Sequence, residues 1–241
     1  MKRVNLLYTA VLVMQYGNSI GVTGIPLVAQ FHFDCSFWTL TLIGISGPLT
    51  YTVSCLVLAS SVGRVKPVNM MIAGIFTFPA VYVAAAFVTA AWHLIVIAAV
   101  QSVMASLFWP MMEIVLAERV AGPTLSRRMG NFNIGWSLGD AFGAATAGAL
   151  YKLWPFAPFI AVPVLSLPVF FIIRAAFRRA ADLTENANGS SAPDEHAPEH
   201  VTDAWRRAGL IANFFGFGVT GVIRSVFAAA ASKVFFMSGP L

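Results

Sequence analysis

Residues 93–117, HLIVIAAVQSVMASLFWPMMEIVLA, run for 25 positions with Glu113 as the one Asp, Glu, Lys or Arg. At 1.5 Å per helical residue such a segment reaches about 37 Å, more than the roughly 30 Å of hydrocarbon in a bilayer. Its length without charge predicts a helix that crosses a membrane. Similar apolar blocks fall at about 4–28, 37–61, 68–90, 129–151, 157–177 and 207–231, separated by short polar or Pro/Gly connections. Lipid accepts only helices or closed barrels, and blocks this long without ten-residue alternation are helices.

Composition points the same way. The chain is 58% hydrophobic and 10% charged, where an ordinary globular domain carries about 45–50% and about 25%. So few charges cannot cover the surface of a water-soluble fold. The net charge of +5 does not imply a nucleic-acid partner, because the basic residues stand singly or in pairs at block ends and form no stripe. Two cysteines, Cys35 and Cys55, offer neither a disulfide framework nor metal-ligand spacing and read as inert fillers. No cofactor is implied. Met1-Lys2-Arg3 imitates a secretory leader, but the apolar run behind it continues into the twenties, carries Gln15 and Asn18, and lacks a small-x-small cleavage site. It reads as the first spanning helix.

Lys and Arg accumulate in short cytoplasmic loops. With the amino terminus inside, Lys2, Arg3, Arg64, Lys66, Arg119, Arg127, Arg128, Arg174, Arg178, Arg179, Arg206 and Arg207 are cytoplasmic, twelve of the fifteen basic residues. Lys152 and Lys233 lie outside, and Arg224 lies within a helix. The expectation is a multi-pass protein of the cytoplasmic (inner) membrane with its N-terminus in the cytosol. The long connection, residues 178–206, holds Asn-Gly-Ser-Ser and six acidic residues, the makeup of a flexible solvated linker.

Three lookalikes are set aside. Asn188-Gly189-Ser190 matches a glycosylation acceptor, but the expected topology places it in the cytosol. His196-Ala197-Pro198-Glu199-His200 matches a metalloprotease pattern, but Pro198 breaks the helical turn that would bring both histidines to one metal. Gly44-Ile45-Ser46-Gly47 resembles the serine motif of rhomboid intramembrane proteases, yet His32, His93, His196 and His200 all sit at helix ends or in the linker. Without a base to activate the serine, an enzyme is not expected, and the small residues allow close helix packing instead.

Six helices, a long cytoplasmic linker and a seventh helix beginning inside resemble the major facilitator superfamily at its midpoint. Ser106-Leu107-Phe108-Trp109-Pro110-Met111-Met112-Glu113, followed by Ala117-Glu118-Arg119, is similar to the Trp-Pro-containing fourth helix of that family. Arg127-Arg128-Met129-Gly130-Asn131-Phe132-Asn133-Ile134-Gly135-Trp136-Ser137-Leu138-Gly139 is similar to its loop into the fifth helix. The resemblance implies an all-α polytopic transmembrane helix bundle, major-facilitator-like, with about seven spanning helices. Residues 1–177 form a six-helix N-terminal half of two three-helix repeats, 178–206 the linker, and 207–241 the first helix of an incomplete C-terminal half. It implies a secondary transporter that moves a small solute by alternating access, with the lipid bilayer and that solute as partners. It leaves room for a coupling ion and for a missing C-terminal half, whether the chain is truncated or one part of a split transporter. The alternative is a non-transporting truncated or accessory membrane protein that needs other helices to assemble.

The chain departs from the family pattern in two places. Ser60-Ser61-Val62-Gly63-Arg64-Val65-Lys66 keeps the basic end of the loop after the second helix but has no acidic residue. Ala98-x-x-Gln101-Ser102 stands where some members have Arg-x-x-Gln-Gly, so proton antiport is not implied.

A charge inside hydrocarbon costs a few kcal/mol and marks a functional position. Asp140 in the fifth helix, Arg224 in the seventh and Glu113 in the fourth qualify. Residues three, four and seven apart share a helix face. Asn133, Trp136, Ser137 and Asp140 therefore form a polar row, with Gly135, Gly139 and Gly143 forming another that admits a neighbouring helix. On the other helices Gln15, Asn18 and Ser19 cluster, Ser102, Ser106, Trp109 and Glu113 align, and Asn213, Phe217, Thr220 and Arg224 align. The expected solute contacts are Gln15, Asn18, Asn133, Trp136, Asp140 and Arg224. Glu113 with Arg64, Arg127 and Arg128 is expected to form a cytoplasmic-side gating network. Pro79, Pro110, Pro163 and Pro168 are expected to interrupt or kink their helices.

Overall fold

A computed structural model of the chain describes residues 2–59, 65–117 and 123–184. Within them every regular element is an α-helix: α1 Lys2–Phe31, α2 Phe37–Ala59, α3 Pro67–Ala85, α4 Ala91–Ser106, α5 Trp109–Ala117, α6 Pro123–Leu153 and α7 Ala157–Thr184. Five segments are long and apolar enough to cross a membrane: Val4–Phe31, Phe37–Leu58, Pro67–Ala85, Ala91–Ala117 and Ala157–Phe177. The fourth of these joins α4 and α5. With 31 residues α6 has the length as well, and Arg127, Arg128, Asp140 and Lys152 lower its apolar content. The expected helix at 207–231 lies outside the described residues, and with it Arg224.

Helix α7 continues to Thr184, into the range that the sequence assigns to the linker. The end of the apolar block at 177 marks where hydrocarbon would stop, while Ala-rich residues with good helix propensity carry the backbone further. Residues 185–206 lie outside the described residues.

The exterior is apolar. Leu42, Ile45, Leu49, Val53 and Leu56 follow one exposed edge of α2, and Phe171 and Leu167 project from α7. Such a surface suits lipid and would aggregate in water. Trp38, Trp92 and Trp154 are exposed where α2, α4 and α7 begin, where amphipathic indoles sit at a membrane interface.

Helix α1 occupies the centre of the bundle and packs most extensively on α6 and α7. Its contact with α6 is parallel, pairing Gly135 with Tyr8, Gly139 with Leu12 and Tyr16, and Gly143 with Tyr16 and Ser19. A Cβ added to Gly139 would stand 2.6 Å from the Leu12 carbonyl oxygen, and one on Gly143 would stand 2.5 Å from that of Tyr16. The glycine row expected on this helix thus brings backbone against backbone. The opposite edge of α1 is also built on glycine: Gly17 meets Leu165, Gly21 meets Val162 and the Tyr82 ring, and Gly24 meets Pro158.

A second parallel pair joins α2 to α4. Ser46 Oγ donates to the Ile95 carbonyl at 3.4 Å and Thr50 Oγ1 to the Ala99 carbonyl at 3.0 Å. An added Cβ on Gly47 would lie 3.0 Å from Ser102 Oγ. The Gly44–Gly47 stretch therefore serves helix packing.

Prolines act unequally. Pro79, Pro163 and Pro168 lie inside helices that remain single elements, in place of the interruption expected there, because neighbouring turns and helices re-satisfy a freed carbonyl. The break falls at Leu107–Phe108. Pro110 cannot donate to the Ser106 carbonyl, and the chain tightens through Leu107 N–H to Met104 O and Phe108 N–H to Ala105 O, at 3.1 and 3.0 Å. Gly74 of α3 admits this tightened turn, since a Cβ there would lie 3.3 Å from the Phe108 nitrogen.

Between α1 and α2, Asp34 takes a left-handed φ of 50°, which Asp tolerates better than most residues. Burial, then the Asp34 carboxylate, raise the Cys35 thiol above its ordinary range. Less thiolate forms near neutral pH, and the thiolate is the reactive species. N-ethylmaleimide should therefore modify Cys35 slowly at neutral pH and faster as pH rises, and Asp34→Asn should quicken the neutral reaction. A rate already at its plateau at neutral pH would contradict this.

Candidate solute cavity

Four spans contribute their middle turns to one cavity of about 120 Å³. Gln15, Asn18, Val22 and Pro26 come from α1, and Gly44, Gly47, Pro48 and Tyr51 from α2. Ala98, Gln101 and Ser102 of α4, Trp109 of α5, and Trp136 and Asp140 of α6 complete most of the wall. Most of these residues lie in the middle turns of their spans, with Trp109 near the middle of the Ala91–Ala117 span, so the cavity sits at about mid-bundle depth.

Asp140 reaches the cavity because the glycine row lets α6 approach α1. Gln15 Nε2 donates to Asp140 Oδ1 at 2.8 Å, and Asn18 Nδ2 donates to Gln15 Oε1 at 3.0 Å. Ser19 Oγ donates to the Asp140 carbonyl at 2.7 Å. A carboxylate only accepts, so it orients the Gln15 amide, and Gln15 in turn orients Asn18. The relay ends at Asn18 Oδ1, a buried oxygen with no hydrogen-bond donor.

A second polar group stands across the cavity. Gln101 Nε2 donates to Ser102 Oγ at 2.6 Å and to the Ala98 carbonyl at 3.3 Å, while the Tyr82 hydroxyl donates to Gln101 Oε1 at 3.4 Å. Tyr82 is fully buried among Gly21, Phe78 and Phe159. The remaining wall is apolar or aromatic, with Ile25, Ile43, Trp109 and Trp136.

Four of the six solute residues expected from the sequence, Gln15, Asn18, Trp136 and Asp140, line this cavity together. Asn133 is exposed on α6 and is not part of the lining, and Arg224 lies outside the described residues. The aligned row on the fourth span divides at the Pro110 break. Ser102 and Trp109 line the cavity, Ser106 turns its hydroxyl to the Val103 carbonyl at 2.6 Å, and Glu113 is exposed.

Of the expected gating residues, Arg64 lies outside the described residues. Glu113 lies within electrostatic reach of Tyr51 and Cys55 of α2, which hydrogen-bond to each other. Arg128 Nη1 donates to the Leu116 carbonyl at 3.4 Å. Among the described residues Glu113 forms no ion pair with Arg127 or Arg128.

Gln101 and Tyr82 are absent from the contacts expected from sequence. The available signal was a neutral polar side chain inside an apolar block, here Gln101 two turns before Pro110.

The Major Facilitator Superfamily model matches residues 4–241, nearly the whole chain. The chain belongs to the major facilitator superfamily. It is therefore a multi-pass membrane protein of a secondary-transporter family, in keeping with its apolar exterior and helical fold. No curated protein matches the chain. Ala98, Gln101 and Ser102, where the sequence departs from the Arg-x-x-Gln-Gly pattern expected of some members, all stand in the cavity wall.

Proposed function

We propose that this superfamily member carries a small solute by alternating access, with the cavity around Asp140 as the solute site. The observation that carries the reading is a carboxylate at mid-bundle depth, oriented by Gln15 and facing a cavity lined by four spans. Ionisable groups inside hydrocarbon mark transport pathways, and transporter sites of this kind lie near the midplane. Arg224 would join the site from the seventh helix as a second charge, contacting the solute, pairing with Asp140, or doing both in turn. Asn133 would enter on the polar face of α6 as the cavity opens. Glu113, Arg64, Arg127 and Arg128 would act at one mouth as gating residues. The distribution of basic residues favours the cytoplasmic membrane with the N-terminus inside.

The test is two-sided access. Ala98→Cys in a background lacking Cys35 and Cys55 should react with a membrane-impermeant thiol reagent from either face of oriented vesicles. Labelling confined to one face under every condition would refute alternating access here.

A further inference from the structure

We propose that Tyr82, which stands outside the cavity, is a positioning residue: acting through Gln101, it leaves the Ser102 hydroxyl as a hydrogen-bond donor toward the solute. This rests on the reading of the cavity as a solute site and assigns one of its contacts.

The Gln101 amide sets the sense of the chain, and Ala98 decides which end of that amide is which. One terminal atom lies 3.3 Å from the Ala98 carbonyl oxygen, and a carbonyl only accepts, so that atom is the nitrogen. The same Nε2 reaches Ser102 Oγ at 2.6 Å. Its two hydrogens are thus taken by Ala98 and Ser102, and the serine oxygen acts as an acceptor. The Ser102 hydrogen is left over. Among the described residues it has no acceptor, and Ser102 belongs to the cavity wall.

Tyr82 meets the condition at the other end of the amide. Gln101 is 6% exposed, and a buried carbonyl oxygen without a donor costs about 1–3 kcal/mol. The Tyr82 hydroxyl donates to Gln101 Oε1 at 3.4 Å. Removing that hydroxyl orphans the oxygen, and a turn about the broad terminal torsion of the side chain brings it toward the adjacent Ser102 hydroxyl. The serine hydrogen would then be spent on the wall.

Packing holds Tyr82 where it can do this. The side chain is fully buried, its ring centroid 5.1 Å from that of Phe78 and 6.1 Å from that of Phe159. A Cβ on Gly21 would stand 2.4 Å from the ring, so α1 admits the ring only because residue 21 is glycine. A role in packing alone would need no hydroxyl, and phenylalanine would serve as well.

The experiment uses the full chain in lipid nanodiscs, with Cys35 and Cys55 replaced by alanine and Ser102→Cys introduced. Cysteine keeps one hydrogen and a weaker acceptor in place of the hydroxyl, and its infrared S–H stretch, then the one such band of the protein, falls when the thiol donates to oxygen. With Tyr82 present the band should coincide with that of Gln101→Leu, which has no amide oxygen to accept. Tyr82→Phe should move it to lower wavenumber, and Tyr82→Phe/Gln101→Leu should restore it, because the effect passes through the amide. A band that Tyr82→Phe leaves in place, or that stays lowered in the combined variant, would overturn the proposal. If Tyr82→Phe does not fold, the Tyr82 chain decides alone, and a band already below that of Gln101→Leu overturns it. Two-sided labelling of Ala98→Cys is read separately, so failure of the band pattern removes the role of Tyr82 and leaves the solute-site reading standing.

Discussion

Gly143→Val is expected to lower the melting temperature of the purified chain by about 6–12 °C, taking an overpacking cost of about 3 kcal/mol at roughly 2–4 °C per kcal/mol for this size. The cause is the nature of the neighbours. A Cβ at 143 would stand 2.5 Å from Tyr16 O, 2.7 Å from Ser19 Cβ and 3.2 Å from Ile20 N, all atoms fixed to the α1 backbone. No rotamer change relieves such a contact, so α1 and α6 must separate and lose packing along their parallel register. Gly130→Ala and Gly148→Ala serve as controls, because no atom lies within 4 Å of an added Cβ at either position. Alanine in an exposed helix interior should hold or raise stability by about 0.5–1 kcal/mol. If Gly143→Val melted with these controls, the close approach of α1 and α6 would be wrong.

Gln15→Leu should destabilise the chain by about 2–4 kcal/mol, because one change deprives both Asp140 Oδ1 of its donor and Asn18 Nδ2 of its acceptor. Hydrogen bonds to an ionised group are the stronger kind. Asp140→Leu alone strands the Gln15 amide in turn. The combined Gln15→Leu/Asp140→Leu chain should recover part of the loss, since apolar replacement of both buried partners is far less costly than orphaning one. Chemical denaturation of the two single variants and the double variant measures the coupling, expected at about 1.5–3 kcal/mol. Strictly additive losses would mean that the two side chains do not depend on each other.

Both predictions turn on features that the sequence displays to different degrees. The spans were legible because hydrocarbon imposes a length and tolerates few charges, and the helices begin and end within a few residues of the expected blocks, except that α3 ends at Ala85 against 90, α6 begins at Pro123 against 129 and α7 ends at Thr184 against 177. The glycine row on α6 was legible from its four-residue spacing, and Asp140 from its charge within an apolar stretch. The partner of each was less so. Helical periodicity says which residues share a face and is silent on which helix that face meets, so the pairing of Gln15 with Asp140 across 125 positions came only with the fold. The glycine edge of α1 at Gly17, Gly21 and Gly24 has mixed spacing and gave no single row. Of the four prolines expected to interrupt or kink their helices, Pro110 alone stands beside a break, because a proline breaks a membrane helix only where its surroundings fail to re-satisfy the carbonyl, and those surroundings are tertiary. Neutral polar residues such as Gln101 carry no insertion penalty large enough to stand out, yet across the cavity they set which hydrogen bonds remain on offer.

The two parallel pairs described above divide the cavity wall between them. Gln15, Asn18, Trp136 and Asp140 ride on α1 with α6, while Tyr51, Gln101 and Ser102 ride on α2 with α4. Within each pair the backbones touch at glycine and leave little room for slippage, so each behaves as a single strut. The cavity is thus a seam between two struts, and its width is governed by their relative tilt. A tilt of a few degrees would draw the carboxylate side away from the Gln101 side without remaking one hydrogen bond inside either half of the wall.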